Sequence, residues 1–509
     1  MEPDAVGLSS RLYAAGRRFI RSSVAVMIDH PVLTSFLVAL GVRVVFAVLS
    51  SLVHEGVLIP DEGQYLTLAL LASEGELTAD FLLGYGRSLF ASTRTFMWPL
   101  TILFWLFGPS RLLAQLLPVL FGAVTAAATA GIAGRVLRRS YALTAGLIVA
   151  LFPSQVLWSS VVLRESLVWA VLAGIAVVVG YSQRQGSTGR ILGSAVVTGL
   201  LFVALVWLRQ QTAALALWCL FPALLIGYGS RVVRVLSAVC VLVAAPWLLG
   251  MGPAAARFAE EAGSRVGSAH AYMSVAADSS FLGAVPTTVP TTVPTTGPGA
   301  VASRPVDSFV AFQSGSIADC AAWIEQISGQ WRGFGHVSGS LLERERGAWV
   351  CIHDGFGGAI LVDNRLETSL SRIPRGLYNT MVRPLPWEAG LSNPDRFGAG
   401  LESPLWIVLY GLSIFGVWKH RSHLGQLVFP ILIIGAVALS GAVTHGNLGT
   451  AFRHRGQMLF AFAVLSAGGL QALADWRSGR RNGRGTLDST NTGGRNPVTS
   501  RDLPVVSGT

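Results

Sequence analysis

The chain has 509 residues, of which 52% are hydrophobic and only 13% charged, and its mean hydropathy is +0.55. Soluble domains carry about 25% charged residues, so an ordinary water-soluble globular protein is excluded; several apolar runs of about 18–23 residues are each long enough to cross a hydrocarbon core of ~30 Å. The net charge of +11 comes almost entirely from arginine, and in a membrane protein such an excess marks cytoplasmic loops and anionic lipid contact, not a nucleic-acid footprint.

Residues 1–30 form a polar, basic N-terminus with Arg11, Arg17, Arg18 and Arg21. They resemble a signal-peptide n-region. The following run, Pro31–Val53, is longer than an h-region and has no evident small-residue cleavage site, so it reads as an uncleaved first span with a cytoplasmic N-terminus. Residues 54–94 are then the first outer loop. Its centre is IPDEGQYLTLALL (Ile59–Leu71), where Asp61 and Glu62 open an apparent amphipathic helix and Tyr65 follows one turn later. Two readings stand side by side. The carboxylates cap the helix and complement its dipole, or one of them, at the membrane surface, takes a proton from an acceptor hydroxyl.

Residues 96–107 are apolar but short for a span, and counting them as one would invert every later loop. They read as a juxtamembrane or re-entrant helix on the outer side. Spans are predicted at 111–133, 141–157, 164–181, 191–208, 211–228 and 232–250, which places Arg135–Arg139, Arg184–Arg190 and Arg231–Arg234 inside. Residues 251–403 form a long outer segment. It holds the repeat VPTTVPTTVPTTGPG (Val285–Gly299), an extended linker by composition, and a small mixed subdomain over about 307–390. Cys320 and Cys351 lie there and are able to pair in an oxidising compartment; Cys219 and Cys240 fall in apolar runs. IPRGLYNTMVRPLPWE (Ile373–Glu388) has the aromatic and arginine content of an interfacial segment. Three last spans lie within 404–475, and 476–509 reads as a disordered cytoplasmic tail. The fold class is therefore an all-α polytopic membrane protein of about ten transmembrane helices.

Three further polar groups fall on the side of Asp61. Arg164 and Glu165 occupy a short turn in FPSQVLWSSVVLRESL (Phe152–Leu167), a charged pair at a span end that serves either function or interface anchoring. Arg209 sits at a hairpin tip in WLRQQT, where a guanidinium fork suits phosphate. THGNLGTAFRHRGQ (Thr444–Gln457) carries His445, Arg453, His454 and Arg455 between two late spans. On an outer loop this run suits a lipid phosphate or pyrophosphate, or else touches headgroups by snorkelling. No CxxC, HExxH, P-loop or GxSxG motif occurs.

The first outer loop with Asp61, Glu62 and Tyr65, the segment RTFMWPLTILFWLFG (Arg94–Gly108), the arginine-bearing turn after the second span and the P-x5-S-x4-R-E run from Pro153 to Glu165 together resemble the C-type membrane glycosyltransferases. That superfamily includes protein O-mannosyltransferases and lipid A aminoarabinose transferases. The resemblance covers roughly the first 180–250 residues and rests on short, degenerate motifs, a fold-level analogy that leaves the substrate open. It implies a sugar transferred from a polyprenyl-phosphate donor to an envelope glycan, lipid or protein acceptor, on the outer face of a bacterial cytoplasmic membrane. It implies Asp61 as catalytic base with Glu62 as the alternative, and Glu165 as a second acidic position. Some members hold a divalent metal with such acids and many do not; a clear DxD-type pair is lacking in the second outer loop. A polysaccharide polymerase or ligase is the second reading, and a transporter or flippase of lipid-linked substrates is the third.

Overall fold

The computed structural model describes residues 24–53, 60–75, 94–182, 188–226, 342–343, 349–353, 359–363, 373–387, 394–444 and 448–489, with isolated positions 22, 235 and 239. Helix α1 (Pro31–Val53) packs against α4 (Arg111–Ala133) and α5 (Arg139–Leu151). Between them in the chain lie α2 (Pro60–Ser73) and α3 (Arg94–Phe107), joined by the edge-on contact of Tyr65 with Phe96 at 5.2 Å. Helix α3 buries Phe96, Met97, Leu100 and Phe104 and exposes Trp98, Ile102, Trp105 and Phe107. At 14 residues it is roughly 21 Å long, short of a hydrocarbon core.

The expected span 141–157 is interrupted. Helix α5 stops at Leu151, Phe152 is extended, and a separate helix α6 (Pro153–Trp158) begins. The cause is Pro153, which has no N–H to bond the Val149 carbonyl. Ser154 N donates to Glu402 instead of to the Ala150 carbonyl. Two carbonyls are thus freed inside the bundle, and Arg43 of α1 takes both: Nη1 donates to Ala150 O at 2.8 Å and Nη2 to Val149 O at 3.1 Å. Its Nε donates to Ser159 Oγ at 2.6 Å. Arg43 is fully buried, and Gly122 lets it pass, since a Cβ there would lie 2.6 Å from Arg43 Nε.

The chain continues through α7 (Glu165–Ser182), α8 (Thr188–Leu208) and α9 (Gln210–Ile226). The expected span 232–250 lies outside the described residues apart from positions 235 and 239. In the long segment after it, β1 (Leu342–Glu343), β2 (Trp349–His353) and β3 (Ala359–Asp363) form an antiparallel sheet in that order, with Val350 opposite Val362. Cys351 is in β2 and Cys320 is outside the described residues, so their pairing lies outside them too; so does the linker 285–299.

Helix α10 (Ile373–Met381) follows, then α11 (Pro394–Lys419), α12 (Leu424–Thr444) and α13 (Leu448–Ser489). The segment expected along the membrane interface docks one side against the bundle and leaves Tyr378 and Trp387 exposed. Gly376 meets α12 so closely that a Cβ would lie 2.1 Å from Ala442 O, and Thr380, Arg383 and Leu385 are buried. Helices α11 and α13 pack backbone to backbone through Gly416 and Gly469; a Cβ on either would lie 2.1 Å from the facing carbonyl. Helix α13 continues to Ser489, so the expected disordered tail is helical over its first part.

Among the described residues, five helices are long and apolar enough to cross a membrane, within α1, α4, α11, α12 and α13, and shorter apolar helices lie at Thr95–Phe107, Arg139–Leu151, Glu165–Tyr181, Gly193–Leu208 and Gln211–Ile226. Large apolar side chains such as Leu33, Leu37, Leu52, Val408, Ile414 and Trp418 face outward, as lipid-facing positions require.

Candidate functional site

The charged residues singled out in the sequence gather where α2, the turn before α7, the α8–α9 link and the start of α13 meet. Proline at the first position and two carboxylates in the first turn start α2. The adjacent acids then separate in role because neighbours on a helix point apart. Asp61 is 49% exposed and accepts from Arg453 Nη1 at 2.6 Å. Glu62 is fully buried and is gripped by Arg111, Nε to Oε1 at 3.1 Å and Nη2 to Oε2 at 3.2 Å, while Val162 N also donates to it. Glu62 therefore does not stand in for Asp61 as a base; it ties α2 to α4 and to the turn before α7.

Arg209 Nη2 donates to Glu165 Oε1 at 3.3 Å, and Arg164 Nη1 donates to Leu208 O at 2.8 Å, satisfying the end of α8. Burial pulls the Arg209 guanidinium down from its ordinary value, and Glu165 beside it pulls the other way. Tyr65 is buried next to this group and feels the charges of Arg164, Glu165, Arg209 and Asp61; burial pushes its phenol up to about 12. Tyr65 is therefore a proton-bearing hydroxyl at neutral pH, not a base.

The run Arg453–Arg455 is not on a loop. It lies in the second turn of α13, because the helix begins at Leu448. Positions two apart are about 200° round the helix axis, and the two arginines part accordingly. Arg453 reaches Asp61 and stacks on the Trp158 ring at 4.8 Å. Arg455 is fully buried on the other side, where Nε donates to Thr380 O and the guanidinium lies against Phe452 at 5.5 Å. His454, between them, is half-buried, and His445 lies outside the described residues.

Asp61, Tyr65, Arg164, Glu165, Arg209 and Arg453 therefore form one cluster, and Arg455 does not join it. The cluster holds unused hydrogen-bonding atoms. Arg453 Nε, Arg209 Nη1, Glu165 Oε2 and Trp158 Nε1 are buried without a partner. Such atoms are costly in a protein interior and suit a polar ligand.

Several residues of this region carry signals that a sequence reading passes over. Arg43 interrupts an apolar run, which by itself flags a paired intramembrane charge. Glu402 does the same in GLESPLWIVL; it is 3% exposed and accepts from Ser154 N, Ser154 Oγ and Trp406 Nε1 at 2.7–2.8 Å. Trp158 and Arg111 carry no pattern of their own.

Among the described residues no group of three His, Cys, Asp or Glu side chains is placed to hold a metal ion. Asp61, Glu62 and Glu165 face guanidinium groups instead. No family model, curated protein or solved structure matches the chain.

Proposed function

We propose that the protein is a membrane glycosyltransferase that moves a sugar from a polyprenyl-phosphate donor to an acceptor hydroxyl on the outer face of a bacterial cytoplasmic membrane. The observation that carries this reading is the cluster itself. A half-exposed carboxylate, Asp61, lies against Arg453, and Arg453 and Arg209 keep buried N–H groups unused beside it. A donor phosphate needs guanidinium forks at headgroup depth, and an acceptor hydroxyl needs a carboxylate within hydrogen-bond reach.

In the reaction, the acceptor oxygen forms a bond to the sugar's anomeric carbon as the bond from that carbon to the phosphate oxygen breaks. The hydroxyl proton passes to Asp61, and the negative charge stays on the lipid phosphate, held by Arg453 and Arg209. Phosphate on Arg453 releases Asp61 from its ion pair at the moment the base is required. Trp158 supplies an unused N–H group beside Arg453, and Glu165 holds Arg209 in place.

Asp61→Asn keeps shape and removes the base, so turnover of purified protein with a panel of polyprenyl-phosphate sugars falls at least about a hundredfold. Arg453→Ala weakens donor use, and Arg453→Lys restores it only in part because an ammonium lacks the fork. Wild-type turnover in Asp61→Asn would leave Asp61 as a mere ion-pair partner and favour a polymerase or ligase.

The same reading gives about ten spans, with both ends of the chain cytoplasmic and the cluster outside. Glu74 and Ser422 then lie on opposite sides. Cysteine placed at each, labelled in intact cells with a membrane-impermeant maleimide, reacts at Glu74 and not at Ser422; equal labelling overturns the topology.

A further inference from the structure

We infer that Arg455 and Thr380 form a second, buried oxyanion site, separate from the Asp61–Arg453 cluster, that takes a phosphate or carboxylate group. The inference stands whether or not the protein transfers sugars.

Arg455 is fully buried, yet its guanidinium makes one hydrogen bond, from Nε to Thr380 O. Nη1 and Nη2, the two prongs of the fork, have no partner. Thr380 Oγ1, on the residue whose carbonyl fixes Nε, is also buried without a partner. Three unused donors thus sit together where α10 crosses α13.

The acceptors nearby are committed elsewhere. Glu402 is close enough to act on Arg455 electrostatically, but its Oε1 accepts from Ser154 Oγ and Trp406 Nε1 and its Oε2 accepts from Ser154 N. The Tyr410 hydroxyl, on the same side, donates to Met381 O at 2.8 Å. The chain therefore brings a permanent cation into its interior and directs the available anion to another helix end. A guanidinium left this way is costly unless oxygens reach its prongs. The planar fork is shaped for two oxygens of one phosphate or carboxylate, with the Thr380 hydroxyl able to donate to the same group.

The Phe452 ring holds the guanidinium from one side. The site and the Asp61 cluster share α13 but lie on opposite sides of it, since Arg453 and Arg455 are two positions apart. They bind two groups, not two ends of one diphosphate.

The test uses the full chain in detergent micelles, titrated with sodium phosphate and separately with sodium acetate at constant ionic strength, while the unfolding midpoint is followed. One or both raise the midpoint saturably. The shift survives in Arg453→Gln, where the first cluster has lost a guanidinium fork, and disappears when Arg455→Gln is added to that background. Thr380→Val removes an unsatisfied hydroxyl, so without anion it is as stable as wild type or more so, and its apparent Kd for the anion rises about tenfold. Thr380→Val alone decides the matter if Arg455→Gln does not fold. A response to phosphate but not acetate assigns a phosphoryl group; displacement of phosphate by a short-chain phosphatidate assigns a lipid headgroup as its source, and failure to displace assigns free phosphate. No saturable shift in the wild type, or a shift lost in Arg453→Gln and untouched by Thr380→Val, overturns the site.

Discussion

At one end of the bundle, Arg138 pairs with Asp475 and Arg139 with Asp29, all with side chains 54–70% exposed. At the other end, Arg111 and Glu62 pair at 17% and 0% exposure, and Arg209 and Glu165 at 14% and 5%. Helix α4 separates the two, with Arg111 at its start and the arginines of the exposed end just past Ala133. The residue types are the same, but the environments differ. Exposed pairs are screened by water and salt and contribute little. Buried pairs are held because removing one member strands the other in a poor dielectric. Among the pairs of the buried end, Asp61 is the member left half open, which makes it the carboxylate able to meet a substrate.

The largest change that probes this contrast is Arg43→Met. It strands the Val149 and Ala150 carbonyls at the α5–α6 break and removes the donor to Ser159 Oγ, whose own hydrogen bond to Gln155 O remains. With intramembrane hydrogen bonds worth roughly 0.6–1.7 kcal/mol each, the loss is about 3 kcal/mol, read from denaturant unfolding in mild detergent. A loss below ~1 kcal/mol would mean that the break holds itself.

Glu62→Gln comes next. It leaves Arg111 without its bidentate carboxylate and costs about 2 kcal/mol in the same assay, whereas Asp61→Asn, half exposed, costs below ~1 kcal/mol. Equal costs for the two would erase the distinction between a structural and a reactive acid. Arg138→Ala is the smallest, within about 0.5 kcal/mol at low salt and vanishing at high salt. A larger, salt-insensitive loss there would show the exposed end to be built like the buried one.

How far the site was legible follows from what each residue's signal depends on. Asp61, Arg209 and Glu165 stand out by composition, as charges at the ends of apolar runs, and they do come together. The different fates of Asp61 and Glu62 depend on Arg111, which is 49 positions later and has no pattern linking it to them. The reading of Arg453–Arg455 as one cationic run failed because it assumed a loop; the helix start at Leu448 turns adjacent charges into opposed ones. The interrupted span at Phe152 was legible in Pro153, but an uninterrupted apolar count hides a proline at a helix start. Arg43 was visible as an arginine in an apolar run. Its partners, two backbone carbonyls, have no sequence signature.

Helix α13 runs unbroken from the residue that stacks on Trp158 to the one that meets Arg138. Arg453 and Asp475 are roughly 33 Å apart along it at 1.5 Å per residue. An α-helix resists twisting, since each turn is bonded to the next, so it cannot swivel at one end and stay still at the other. Any turn of the rod that carries Arg453 away from Asp61 also carries Gln471 and Asp475 past Arg138, whose backbone N–H and guanidinium they now hold. The two ends of the bundle are geared together by one axle.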